Sequence, residues 1–138
     1  TKESLMFFPM FSMFLLTFVI GLIAAKVRIS SVKNGDIDPK YFKLMQGDDV
    51  PEIITKSTRC FNNLFEIPIL FYAASILYIS FGFESIVGIV FGWLFFVLRC
   101  IHAYVYLTYN HLIHRMAAFW LSFFCILVLW VDLFIHQI

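Results

Sequence analysis

Four stretches of this sequence, Leu5–Ala25, Phe61–Phe81, Ile86–Tyr109 and Met116–Ile135, carry at most one formal charge each. An α-helix rises 1.5 Å per residue, so about 20 apolar residues cross the hydrocarbon core of a bilayer. Each stretch is long enough. Inside lipid every backbone N–H and C=O must find its partner within the protein, which leaves helices or closed barrels, and segments of this length and composition are helices. The expected fold is all-α: one domain over residues 1–138, an integral membrane four-helix bundle. Composition agrees. Of 138 residues, 62% are hydrophobic and 14% charged, whereas a soluble domain is roughly half apolar. The net charge of +1 argues against nucleic acid as a partner, since that needs a clustered basic surface.

The first stretch is longer than the apolar core of a signal peptide and has no basic cluster ahead of it, so it is read as a retained span. Seven of the ten Lys and Arg residues (Lys26, Arg28, Lys33, Lys40, Lys43, Lys56, Arg59) lie in or beside the connection between spans one and two. Arg115 lies between spans three and four, while the other ends carry Lys2, Glu3, Glu84, Asp132 and His136. By the positive-inside rule both connections are expected in the cytoplasm and both termini outside.

Cys60, Cys100 and Cys125 fall in or at the edge of spans and read as small apolar fillers. No Cys-x-x-Cys pair is present, His111 and His114 have no third ligand nearby in sequence, and the Glu-x-x-His pairs of di-iron bundles are missing. No metal is expected.

The long connection from Lys26 to Thr58 contains turn chemistry at Asn34-Gly35-Asp36, Asp38-Pro39 and Gly47-Asp48-Asp49. Asp49, Pro51 and Glu52 form a candidate capping box, so the second helix is expected to begin near Val50 and to stand above the membrane before entering it. Pro68 should kink that helix.

Two polar stripes interrupt the apolar spans. At about 100° per residue, Arg59, Asn62, Asn63 and Glu66 share an arc of about 100° on the second span. Arg99, His102, Tyr106 and Asn110 share a face of the third. Antiparallel packing would set Glu66 at the depth of His102 and Arg99, making a Glu66–Arg99 ion pair a structural candidate. Ionisable side chains inside a bilayer face a bundle interior or a wet cavity and usually carry function.

Arg59-x-x-x-Asn63-x-x-Glu66-x-Pro68 and Arg99-x-x-His102-x-x-x-Tyr106-Leu107 resemble signatures of the MAPEG family (membrane-associated proteins in eicosanoid and glutathione metabolism). The nearest pattern is that of the prostaglandin E synthase and microsomal glutathione transferase type. Lys26-Val27-Arg28 matches a basic pair of that branch, and Arg115 falls at its thiol-facing arginine. The resemblance implies a homotrimer of four-helix bundles with glutathione as co-substrate in an intersubunit cleft open to the cytoplasm. It implies glutathione-binding roles for Lys26, Arg28, Arg59, Asn63, Glu66, His102 and Tyr106. Arg115 would be the catalytic cation beside the sulfur, and a hydrophobic electrophile would arrive from the surrounding lipid. The sequence departs from that branch at Asn62, where the branch has arginine, at Met116, where the branch has serine, and at Phe119, where the branch has tyrosine; Ile67 stands where many family members have tyrosine, and Pro68 follows Glu66 by two residues rather than three.

The function implied is that of a glutathione-dependent membrane transferase or peroxidase, a glutathione S-transferase-like enzyme. The alternative is a non-catalytic membrane subunit, or a lipid- or quinone-binding protein, that retains the same fold.

Overall fold

The computed structural model describes residues 4–138; Lys2 and Glu3, which enter the charge argument above, lie outside the described residues. The chain forms α1 (Phe7–Lys33), α2 (Tyr41–Leu44), α3 (Glu52–Asn63), α4 (Ile67–Phe81), α5 (Ile86–Leu107) and α6 (Leu112–Gln137). Four helical segments are long and apolar enough to span a membrane: α1, α3 with α4, α5, and α6. This is an all-helical, multi-pass membrane protein. The α1–α3 connection and the α5–α6 turn lie at one end of the bundle, and the α4–α5 turn, the start of α1 and the end of α6 at the other.

Helix α1 has 27 residues, a length of about 40 Å, so it outruns the hydrocarbon core and carries Lys26 and Arg28 on its last two turns. The core is built from side chains sealed off completely, among them Met13, Phe71, Ala74, Phe95 and Leu129. Phe71 and Phe95 stack with ring centroids 4.5 Å apart, joining α4 to α5. Gly88 lets these helices approach closely, because a Cβ there would lie 2.8 Å from the Tyr78 ring. Lipid chains are as apolar as leucine, so small residues and close packing stand in for a hydrophobic driving force between membrane helices. The outward surface is correspondingly apolar, with Phe14, Phe18, Leu22, Trp120 and Phe134 all exposed.

The kink expected at Pro68 is a break. Helix α3 ends at Asn63, and the amides of Leu64, Phe65 and Glu66 turn to the carbonyls three residues back, on Phe61, Asn62 and Asn63. Helix α4 restarts at Ile67 with Pro68 in its first turn. Proline has no N–H to give and its ring clashes with the carbonyl four residues earlier, which here belongs to Leu64. The expected capping box does not form. Pro51 is the N-cap residue and makes no side-chain cap bond, while Asp49, at φ 59°, lies too far before Glu52 to cap the helix.

Candidate functional site

On α3 the residues turned to the bundle are Ile54, Ser57 and Cys60, with Leu64 just beyond them. At about 100° per residue the centre of Arg59, Asn62 and Glu66 lies nearly opposite that face. All three are exposed, and Glu66 is midway along the 30-residue second span. The α5 stripe does the reverse: Arg99, His102 and Tyr106 are buried against the chain's own helices. The two stripes therefore do not meet face to face.

The Glu66–Arg99 ion pair is accordingly not made. Among the described residues the one salt bridge joins Lys56 to Glu52 at 3.4 Å. Glu66 sits at the α3–α4 break with its side chain turned outward, whereas Arg99 is 0% exposed. Arg99 donates from Nη2 to the carbonyl of Asn63 across 3.5 Å, the long limit of a hydrogen bond, and its Nε and Nη1 are buried without a partner.

Asn63 stands at the edge of the outward stripe and bridges to the next element. It lines a cavity of about 320 Å³ with His102 and Tyr106 of α5 and with Arg115, Met116, Phe119 and Trp120 of α6. The cavity has two kinds of wall. Asn63, His102, Tyr106 and Arg115 supply amide, imidazole, phenol and guanidinium; Met116, Phe119 and Trp120 supply apolar surface. The His102 ring meets the Tyr106 ring edge-on, with centroids 5.8 Å apart. The guanidinium carbon of Arg115 lies 4.5 Å above the Tyr106 ring, a cation–π contact, and Nη1 donates to Oδ1 of Asn110 at 2.8 Å. Two of the departures from the resembled pattern, Met116 and Phe119, face this cavity, so its α6 wall is apolar where hydroxyls were the pattern.

Arg28 is elsewhere. Its Nη2 donates to Oγ1 of Thr58 at 3.1 Å, its charge lies 5.3 Å from the Phe42 ring centre, and its Nε is buried without a partner. Thr58 and Asn63 lie about 140° apart round α3, so Arg28 and the Arg115 cavity occupy different sides of that helix. Lys26 is exposed, about 160° round α1 from Arg28. Of the predicted site residues, Asn63, His102, Tyr106 and Arg115 are brought together; Arg59, Glu66, Lys26 and Arg28 are not gathered with them in one chain. A cavity of about 520 Å³ between α1 and the α3–α4 segment is walled by Phe14, Phe18, Leu22, Phe61, Phe65 and neighbours and holds none of the predicted groups. No three His, Cys, Asp or Glu side chains gather as a metal set among the described residues.

Two contacts at the site were not read from the sequence. Asn110, assigned only to the α5 stripe, holds Arg115. Lys56 donates from Nζ to the carbonyl of Thr108 at 2.9 Å, tying α3 to the α5–α6 turn. An asparagine just past the end of a span is a signal for a left-handed turn residue, but its side-chain partner depends on how α6 returns.

The MAPEG family model matches residues 6–135 of the chain. No curated protein and no solved structure matches it.

Proposed function

This chain belongs to the MAPEG family, and from that membership we propose that it is a glutathione-dependent membrane transferase or peroxidase acting on hydrophobic electrophiles. The observation that carries this reading is the single cavity in which Arg115 meets Asn63, His102 and Tyr106 beside an apolar α6 wall. Glutathione has two carboxylates, an ammonium and a thiol. Guanidinium forks suit carboxylates, which gives Arg59 and Arg28, with Lys26, the terminal carboxylates to hold. Glu66 takes the ammonium, Asn63 the peptide, and His102 and Tyr106 act as neutral donors. Arg115 stands beside the sulfur, where a cation lowers a thiol pKa from its usual value of about 8.5. The thiolate forms a bond to the electrophilic atom as the leaving group departs, and that substrate reaches the site past Met116, Phe119 and Trp120.

The same geometry supports a homotrimer. A charged side chain near the bilayer centre costs about 2.5–3.5 kcal/mol on insertion scales when it faces lipid, and Glu66, midway along its span, faces outward in the single chain, as does Arg59 nearer the span's start. A second copy covers that stripe. Arg28 lies on a different side of α3 from Arg115, so one ligand reaches both only if a neighbouring subunit supplies Arg28.

The test is a thermal melt of the purified protein with and without glutathione, alongside native mass spectrometry under mild extraction. A ligand at 100 times its Kd stabilises by about 2.7 kcal/mol, so saturating glutathione is expected to raise the melting temperature of a trimer. A uniform monomer removes the intersubunit site. No glutathione shift and no turnover of an aryl halide would leave the stripes as assembly surface in a non-catalytic subunit.

A further inference from the structure

Arg115 does not stand by itself. It follows His111, the N-cap of α6, and its backbone N–H is bonded to the His111 carbonyl at 3.0 Å. A long, unbranched side chain there has several rotamers to choose from, and losing that freedom costs conformational entropy. Two contacts select one of them: the Tyr106 ring under the guanidinium face and the Asn110 amide oxygen on its Nη1 edge. The remaining guanidinium N–H groups have no protein acceptor among the described residues, in a side chain that lines the cavity.

Asn110 is suited to that task by its backbone. It lies at φ 48°, in the left-handed region, and its N–H closes α5 by bonding to the carbonyl of Val105 at 2.7 Å. Asparagine and glycine are the residues that enter this region readily, and of the two only asparagine brings an acceptor. The turn is also held independently of the Asn110 side chain, by Lys56 on the Thr108 carbonyl and by the Thr108 hydroxyl on the carbonyl of Tyr104 at 2.6 Å.

We infer that Asn110 is a positioning residue for the proposed reaction: its Oδ1 orients the Arg115 guanidinium so that the unbonded N–H groups meet the glutathione sulfur. The inference rests on the reading of the site given above. A neutral acceptor matters here. A carboxylate would hold the arginine as firmly and offset its charge, whereas the amide fixes the guanidinium and leaves its field intact for a thiolate.

Two substitutions separate orientation from charge. Asn110→Gly keeps the left-handed backbone and deletes the acceptor; Asn110→Asp keeps the acceptor and adds an anion. The purified trimer is loaded with glutathione, and three quantities are measured: binding by melting shift, the pH midpoint of bound thiolate by ultraviolet absorbance, and turnover of an aryl halide. For Asn110→Gly, glutathione affinity is expected within about three-fold of wild type, because the thiol is one contact among many. Its thiolate midpoint is expected to rise by about one unit, a ten-fold loss of thiolate at a given pH below the midpoint. Turnover is expected to fall on the order of 100-fold, as for other small misplacements of a catalytic group. For Asn110→Asp the midpoint is expected to rise through the added charge alone, although the arginine remains held; if the glycine chain melts early, Asn110→Ala, which also deletes the acceptor without adding charge, carries the test. A merely structural Asn110 moves melting temperature and leaves the thiolate midpoint alone, so a wild-type midpoint in the variant that deletes the acceptor overturns the inference. A wild-type protein that binds glutathione with no thiolate overturns the sulfur role of Arg115 and Asn110 together. One that binds no glutathione overturns the proposed function itself.

Discussion

Tyr78 of α4 donates its phenolic hydroxyl to Oδ2 of Asp132 on α6 across 2.6 Å. Ser85, the N-cap of α5, donates its hydroxyl to the same oxygen, also at 2.6 Å, while accepting from the Gly88 N–H. Three membrane helices are thus fastened at one carboxylate, at the bundle end opposite the Arg115 cavity. Nearby, Phe83 and His136 stack with centroids 3.8 Å apart, closing the α4–α5 turn onto the end of α6.

Asp132→Ala is expected to lower stability by about 2 kcal/mol, the scale of a hydrogen bond to a charged acceptor. Asp132→Asn, which keeps an acceptor oxygen, should cost less. Both should leave glutathione affinity unchanged, because the cluster is remote from the cavity. Denaturant or thermal melts read alongside ligand shifts check this.

Gly88→Ala is expected to destabilise by about 1–3 kcal/mol, the usual cost of overpacking, although alanine normally improves a helix interior by up to about 1 kcal/mol. The new methyl meets the Tyr78 ring at 2.8 Å, and moving that ring also disturbs the Tyr78–Asp132 bond. The double variant with Asp132→Ala should therefore be less destabilised than the sum of the single changes.

Arg115→Ala should abolish most turnover while leaving glutathione affinity within a few-fold. Arg59→Ala and Glu66→Ala should instead weaken binding first, each by about 1.5–3 kcal/mol. Among the described residues neither Arg59 nor Glu66 has an ion-pair partner, so their loss should spare the fold of one subunit and reduce the fraction of the proposed trimer. Titration calorimetry, turnover with an aryl halide and native mass spectrometry separate the two groups. Glu66→Ala with unchanged glutathione affinity would count against its role as the ammonium's partner.

Arg99→Met is expected to keep or raise the melting temperature. The guanidinium is sealed in the core with two nitrogens unpartnered, and replacing a poorly satisfied buried charge with an apolar chain of similar volume is often neutral or stabilising. A clear drop in the melt would mean that Arg99 gains, in the assembled protein, partners for the nitrogens left unbonded here.

Cysteines introduced at Lys40 and Gln137, both exposed, should label from opposite sides of sealed vesicles, with Lys40 on the cytoplasmic side. The native thiols give little background, since Cys60 and Cys125 are buried and Cys100 half-buried. Equal labelling at both positions removes the orientation drawn from the Lys and Arg distribution.

The division between sequence and tertiary structure runs through the two polar stripes. Span number is a property of local composition and length, so four helices were legible without any packing. A disturbance at Pro68 is equally local, since a missing N–H and a ring clash need no partner, although the expected kink is a full break between α3 and α4. Helical periodicity also groups Arg59, Asn62 and Glu66 on one face and Arg99, His102 and Tyr106 on another, because the pitch is the same in every α-helix. Periodicity says nothing about where a face points. That direction comes from which neighbours the rest of the helix packs against: Ile54, Ser57 and Cys60 draw α3 inward and turn its charged stripe out, while Arg99 and His102 are carried into the core with α5. The tertiary structure alone therefore left Glu66 and Arg99 without a salt bridge. It alone brought Asn110, at the end of one helix, to Arg115 in the first turns of the next, because that contact depends on how the chain turns between them.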